Sequence, residues 1–355
     1  MISLPILPSS PPHGLVAVPR APARQPRAEP RLARLSITDR CDLACVYCRP
    51  NRRDGYLPTE RRLRAEHWQA LVEGLVRRGV ERVRITGGEP LVHPEVVEIV
   101  ERIARIPGVR DLAMTTNATK LAELAAPLRA AGLRRLNVSL DSLSPARFWQ
   151  ITRGGRLDDV LAGLEAARAQ GFEELKTNTV VVDVDPRDPG SVGNLDELAE
   201  LARWAWSVGA TPRFLELMSV GEGAQIRGRY VPYEAIRAAL AGLLEDEAPV
   251  RPSDRGPARY VRARDACGNV AGFITGASDT FCEGCDRLRV TSDGALRPCL
   301  ATSDAVDVHE AIVAGDVEAI AAGLDAAWAQ KPDGVEWRGC TEGTAAHVSM
   351  RATGG

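Results

Sequence analysis

The chain has 355 residues, 45% of them hydrophobic and 26% charged, with a formal net charge of −2. That is the profile of a globular protein with one large domain, or a large one and a small companion. It offers no global basic field for nucleic acid or an anionic membrane, and no uninterrupted apolar run crosses a bilayer, so neither is expected as a partner. An anionic ligand must therefore be held by a few placed cations.

In chain order, residues 1–31 come first, with eight prolines and several arginines, the composition of a disordered or loosely docked arm. The start is not basic and its apolar residues are broken by proline, so no secretory signal is read and a cytoplasmic location is expected. Short β-branched or apolar runs follow at "ARLSIT" (33–38), "RVRIT" (82–86), "DLAMTT" (111–116), "RLNVSL" (135–140), "LKTNTVVV" (175–182) and "PRFLELM" (212–218). Between them lie amphipathic stretches. Trp68, Leu71, Val72, Leu75 and Val76 recur at helical spacing, as do Leu157, Val160, Leu161 and Leu164. Strands alternating with helices predict βαβ units and a parallel sheet. Six units rather than eight predict an α/β partial (βα)6 TIM-like barrel over 32–222, with ligands at the carboxyl ends of the strands. The motifs below are all expected at those ends.

The pattern changes after about residue 222. "EDEAPVRPSDRGPARY" (245–260) is charged and proline-rich, "GNVAGFITG" (268–276) reads as a hairpin or edge strand, and 306–329 reads as helical. Residues 223–355 are expected to form a smaller α+β domain laid against the barrel.

Six of the eight cysteines are clustered. Without a secretory signal, such clusters suggest metal or redox chemistry more than disulfides. Cys41, Cys45 and Cys48 form C-x3-C-x2-C just after the first predicted strand. Three thiolates on a tight loop can hold a cubane iron–sulfur cluster and leave one iron open; a zinc knuckle completed from elsewhere is the alternative. Cys282, Cys285 and Cys299 form C-x2-C-x13-C, again three ligands, with half a zinc ribbon as the alternative. Cys267 and Cys340 stand alone and read as buried small hydrophobes. His13, His67, His93, His309 and His347 are scattered, and none is assigned a role.

The cysteine loop with Tyr47 before its last cysteine, and "GGEP" at 87–90, resemble the radical S-adenosylmethionine superfamily. The glycines suit close backbone approach, and the acidic side chain suits an ammonium. "RLSITDRC", "VRITGGEPL", "TTN", "NVSLDSL", "RFLELMSVG", "FCEGCDRLRVTSDGALRPCL" and a terminal "GG" resemble, in that order, the lyase-class GTP 3′,8-cyclase family of molybdenum-cofactor biosynthesis. The resemblance implies two [4Fe–4S] clusters, one on Cys41, Cys45 and Cys48 and a second on Cys282, Cys285 and Cys299 in the C-terminal domain. It implies S-adenosylmethionine held near Tyr47, Gly88, Ser139 and Met218. It also implies GTP as substrate, held by Arg34, Arg84, Thr115, Lys176, Arg213, Arg287 and Arg289, with Thr116 the alternative to Thr115. A radical from the cofactor would take the ribose 3′ hydrogen, and the ribose carbon would then join carbon 8 of guanine. A flavodoxin or ferredoxin would supply electrons, and a cyclic pyranopterin monophosphate synthase would consume the product. The oligomeric state, including a homodimer, stays open.

The chain departs from the family pattern at Arg49, where methionine is usual, and at Asp286, where asparagine is usual. Asp286 adds a negative charge beside the expected substrate arginines. The diglycine Gly354–Gly355 matches a tail thought to enter the site. The competing readings are a paralogue acting on another nucleotide, small molecule or peptide, and a non-enzymatic zinc adaptor.

Overall fold

The structure is a computed structural model. It describes residues 29–48, 56–218, 223, 226, 229–250, 256–279, 282, 284–300, 302 and 304–332. Most of the proline-rich arm, Arg49, Cys340 and Gly354–Gly355 lie outside the described residues.

Six strands form where alternation predicts them: β1 (Leu32–Ser36), β2 (Arg82–Thr86), β3 (Asp111–Thr116), β4 (Arg135–Ser139), β5 (Glu174–Val181) and β6 (Thr211–Glu216). They pair in chain order, every pair parallel. The crossovers are α1 (Ala65–Val76), α2 (Val96–Ala104), α3 (Leu121–Ala130), α4 (Pro145–Thr152) with α5 (Leu157–Ala169), and α6 (Leu198–Ser207). Ala33, Leu35, Val83 and Ile85 are buried in one core with Trp68, Leu71, Ile99 and Ile103 of the helices. The two-residue period of a strand then turns Arg34 and Arg84 to the opposite face. That face is concave: Arg213 on β6 reaches past β5 to donate to Asn137 Oδ1 on β4 at 2.6 Å.

After α7 (Tyr233–Ala239), the chain adds strands to both edges of the same sheet. β8 (Val270–Ile274) runs parallel beside β6, with β7 (Arg259–Arg262) antiparallel outside it. Residues 268–276, expected as a hairpin or an edge strand, instead supply the single interior strand β8, and β7 from the preceding segment takes the edge. Gly272 permits this, because a Cβ there would stand 2.8 Å from Arg213 Cγ and 2.9 Å from Tyr260 Cε1. β9 (Arg287–Val290) runs parallel to β1 on its other side, followed outward by antiparallel β10 (Ala295–Arg297) and β11 (Val306–Asp307). Among the described residues the sheet has 11 strands, ordered β11-β10-β9-β1-β2-β3-β4-β5-β6-β8-β7.

The helix expected over 306–329 is divided into β11, α8 (His309–Ala314) and α9 (Val317–Ala329). Gly315 closes α8 in the left-handed region at φ 68, and the Asp316 carboxylate starts α9 by accepting from Ala319 N–H at 2.9 Å. α9 returns across α1 at close range: a Cβ on Gly74 would lie 2.5 Å from Ile320 Cγ2. Arg77–Glu318 and Arg78–Asp325 ion pairs flank that crossing. No helix among the described residues is long and apolar enough to cross a membrane.

Candidate functional site

At the carboxyl end of β1, the loop bearing Cys41, Cys45 and Cys48 is tied down on three sides. Ala44 N–H donates to Thr152 O at 3.1 Å and Val46 N–H to Ile151 O at 3.0 Å, which satisfies carbonyls at the end of α4. The "GGEP" turn after β2 lies against the loop: Gly88 N–H donates to Thr38 O at 2.6 Å and Glu89 N–H to Arg40 O at 2.8 Å. A Cβ on Gly88 would sit 2.3 Å from Arg40 O, so glycine is needed here for contact with the cysteine loop itself. From β3, Asn117 Nδ2 and Thr119 Oγ1 donate to the two carboxylate oxygens of Asp42, at 2.8 and 2.5 Å.

Two buried carboxylates brace this end. Glu89, whose motif suits an ammonium, accepts from Leu91 N–H at 2.9 Å, Thr116 Oγ1 at 2.6 Å and Asn117 N–H at 2.6 Å. Burial pushes its carboxyl up to about 7, with the Asn117, Thr116 and Leu91 hydrogen bonds holding it back. Asp141 accepts from Tyr47 Oη at 2.6 Å and Val180 N–H at 2.9 Å, and burial pushes it up to about 6. Burial, with Glu89 beside Cys41 and Asp141 beside Cys45, raises both thiols above their ordinary value. Ser139 ends β4 and Met218 follows β6 by two residues. The structure thus places Tyr47, Gly88, Ser139 and Met218 at the same end as the first cysteine trio.

Of the expected substrate cations only Arg287 is at a strand end, where it opens β9; the other five lie inside their strands. Arg34, Arg84, Lys176 and Arg213 are each the third residue of their strand, and Arg289 is the third of β9. Their register makes a belt around the concave face: Arg289 pairs with Arg34, Arg34 with Arg84, Asn137 with Lys176 and Asn178 with Arg213. The reason is the strand period, which reserves the inward positions of β1, β2, β5, β6 and β9 for these side chains. Arg34 is half-buried. Burial, then Arg289, Arg84, Arg287 and Arg213 in turn, lowers its pKa well below the usual arginine value. Burial and Arg213 bring Arg84 down to about 10, and burial and Arg287 do the same to Arg289. Burial and Arg213 lower Lys176 to about 8, although Glu174 pairs with it at 2.9 Å. A cavity of about 340 Å³ opens beside Lys176, Thr211 and Tyr260.

Thr115 and Thr116 separate clearly. Thr116 is buried and bonded to Glu89, whereas Thr115 Oγ1 lies 3.5 Å from Asn137 Nδ2 on the belt side. Asp286 pairs with Arg82 across β1, so its charge is matched by a residue outside the belt.

The second trio overturns an expectation. β9 is parallel to β1 with Leu32 opposite Arg287, so Cys282 and Cys285 precede it at the amino end of the barrel. β10 returns antiparallel and delivers Cys299 to the same end. The two trios lie at opposite ends of β1, a strand about 17 Å long at about 3.3 Å per residue. Among the described residues, no three His, Cys, Asp or Glu side chains gather around one point as a single metal ion requires. A cubane spreads its thiolates over three irons. Burial would raise the Cys285 thiol, but Arg287 and Lys331 outweigh it and bring it down to about 7. None of the described cysteines is in a disulfide. Cys267, expected to be buried, is exposed on the turn joining β7 to β8.

Sequence reasoning missed Asp141, Asn117, Asn137, Asn178 and Lys331. The signal for Asn178 was available: it shares strand parity with Lys176, an inward polar position, whereas Asn137 meets Lys176 only through the register of β4 on β5. Lys331 carried none.

A barrel with a three-cysteine loop after its first strand defines a radical S-adenosylmethionine protein, and the Radical SAM superfamily model matches residues 35–191. That class carries a [4Fe–4S] cluster and binds S-adenosylmethionine. A crystal structure of Streptococcus suis SuiB bound to S-adenosylmethionine shares the fold, with a TM-score of 0.55 and 15% identity over 80% of this chain and 64% of that one. The Molybdenum Cofactor Synthesis C model matches residues 210–337. A GTP 3′,8-cyclase of Pelotomaculum thermopropionicum is 40% identical over 84% of this chain and 90% of that protein. One of Heliobacterium modesticaldum is 44% identical over 78% and 82%. The chain belongs to the GTP 3′,8-cyclase family.

Proposed function

We propose that this chain converts GTP to 3′,8-cyclo-7,8-dihydro-GTP, the first step toward molybdopterin. The observation that carries the reading is the belt of Arg34, Arg84, Lys176, Arg213, Arg287 and Arg289 set between two cysteine trios. Cations this close lower one another's pKa, and a triphosphate, which brings several negative charges at once, relieves that repulsion. Each charge-assisted hydrogen bond to it contributes roughly 1.5–3 kcal/mol. Thr115 adds a neutral contact on the same face.

Cys41, Cys45 and Cys48 would hold the [4Fe–4S] cluster of the class, and Tyr47, Gly88, Ser139 and Met218 would line S-adenosylmethionine. When bound, that pair supplies one-electron chemistry able to abstract hydrogen from the ribose 3′ carbon. The acidic surroundings of the loop suit a cationic cofactor. Cys282, Cys285 and Cys299 would hold a second [4Fe–4S] cluster facing the guanine, and their chemistry fits: three thiols on one hairpin with cations beside them. The barrel walls exclude water from a reactive carbon centre. In this reading residues 32–222 form the catalytic barrel and 223–355 the cluster-bearing domain. The protein works in the cytoplasm with a flavodoxin- or ferredoxin-type donor and a downstream cyclic pyranopterin monophosphate synthase.

The test is anaerobic incubation of iron-loaded protein with S-adenosylmethionine, reductant and GTP. The expected products are 5′-deoxyadenosine and the cyclised nucleotide in equal amounts. Formation of 5′-deoxyadenosine with no cyclised GTP would sink the assignment. Cys282→Ala should keep basal cofactor cleavage and lose the cyclised product.

A further inference from the structure

Two residues past α9 lies a buried cation that belongs to no motif. Lys331 exposes only 7% of its surface. Its ammonium donates to Arg287 O at 2.9 Å and to Pro298 O at 2.8 Å, and lies 4.4 Å from the centroid of the Trp328 ring. It also stands beside Cys285, whose thiol it helps Arg287 to draw down against burial. The two carbonyls belong to opposite limbs of the β9–β10 hairpin where that hairpin opens. Arg287 follows Cys285 by two residues, and Pro298 immediately precedes Cys299. One side chain therefore clamps the limbs that carry two of the three cysteines.

Two carbonyl acceptors could be served by any neutral donor. A buried full charge calls for an anion nearby, and among the described residues no carboxylate pairs with Lys331. The groups it faces are thiols, which become anionic as ligands of a metal centre. Outer-sphere partners of this kind orient ligands and set the potential of the centre they surround. The lysine is itself held in place at long range, because α9 is docked on α1 through Gly74 and Ile320.

We propose that Lys331 is the positioning residue of the second cysteine trio: its ammonium fixes the gap between the Cys285 and Cys299 limbs and supplies the counter-charge of an iron–sulfur cluster bound there. The proposal rests on the second-cluster reading above, and the experiment separates the two.

Full-length protein is reconstituted anaerobically in two backgrounds. Cys41→Ala/Cys45→Ala/Cys48→Ala leaves only the second trio, and Cys282→Ala/Cys285→Ala/Cys299→Ala leaves only the first. Iron, sulfide, midpoint potential and the melting temperature of the metal-free protein are then read. If the first background binds no iron and sulfide, the second-cluster reading fails and the inference falls with it. If it does bind them, Lys331→Met is expected to lower second-trio iron at least twofold, or to move the potential of what remains to more negative values. First-trio loading should be unchanged. Lys331→Gln, which keeps donors for both carbonyls but not the charge, is expected to load better than Lys331→Met while showing the same negative shift. Full loading at the parental potential in both variants would overturn the inference. Equal loss at both trios with a lowered melting temperature would also overturn it, by reducing Lys331 to a structural strut. Should Lys331→Met fail to fold, the potential of Lys331→Gln decides alone.

Discussion

The two ends of the barrel present the same three thiols in opposite electrostatic settings. At the carboxyl end, the cysteine loop is surrounded by carboxylates: Glu89, Asp141 and Asp42 all lie beside it, and burial together with them pushes the Cys41 and Cys45 thiols up. At the amino end, the cysteines are surrounded by cations: Arg287 and Lys331 flank Cys285 and draw its thiol down. Cysteine count and spacing do not distinguish these sites, but their neighbours do. An acidic surround suits a sulfonium and ammonium ligand, and a basic one suits a polyphosphate. The difference fits a division in which one end receives S-adenosylmethionine and the other GTP.

The contrast can be tested most severely at the acidic end. Glu89→Ala leaves three donors without their buried acceptor and should cost roughly 3–5 kcal/mol of stability, read by urea or guanidinium unfolding. A loss under 1 kcal/mol would show that the carboxylate is no brace. In the belt, Arg213→Gln should weaken GTP binding about 10–100-fold, the worth of one charge-assisted contact, and leave S-adenosylmethionine binding unchanged. Equal weakening of both ligands in calorimetry would erase the division between the ends.

The pH dependence of GTP binding sharpens the same point. Lys176 in the ligand-free protein titrates at about 8, below the ordinary lysine value. A bound polyanion favours the charged form, so binding takes up a proton once the pH exceeds about 8. Affinity should therefore fall as pH rises from about 8, by at most tenfold per pH unit. Calorimetry in buffers of different ionisation enthalpy should report that uptake at pH 9, and Lys176→Met should remove it. The smallest expected effect belongs to Tyr47→Phe, which takes one donor from Asp141. It should cost about 1 kcal/mol, read as a small drop in melting temperature. A wild-type melt would mean that the Tyr47–Asp141 bond does not secure the loop.

The parallel barrel was legible because its strands are short, β-branched and bounded by polar turns; β2 and β3 fall on the residues that alternation marks. The belt residues were legible only as charges. Their place inside the barrel follows from counting parity along each strand from Leu32 or Arg82, a step that needs the strand boundaries first. The location of the second trio was not legible, because "CEGC" reads the same whether its strand runs with or against β1. That direction is set by pairing of Leu32 with Arg287, a contact no local pattern encodes. The break at Gly315 was visible as a glycine before an aspartate, yet the surrounding alanines favour an unbroken helix and mask it. Lys331 was invisible for a different reason: its partners are backbone carbonyls, which leave no mark in a sequence.

The placement of β9 beside β1 also bears on how the chain comes to be folded. The strand that covers the outer side of β1 is made about 250 residues after β1 itself, a wait of roughly 12–50 s at about 5–20 residues per second. Through that interval the edge of β1 is an open template for pairing, as in any nascent sheet whose border strand arrives last. The early barrel therefore has to persist as an incomplete sheet, and this contact between distant segments makes folding slow.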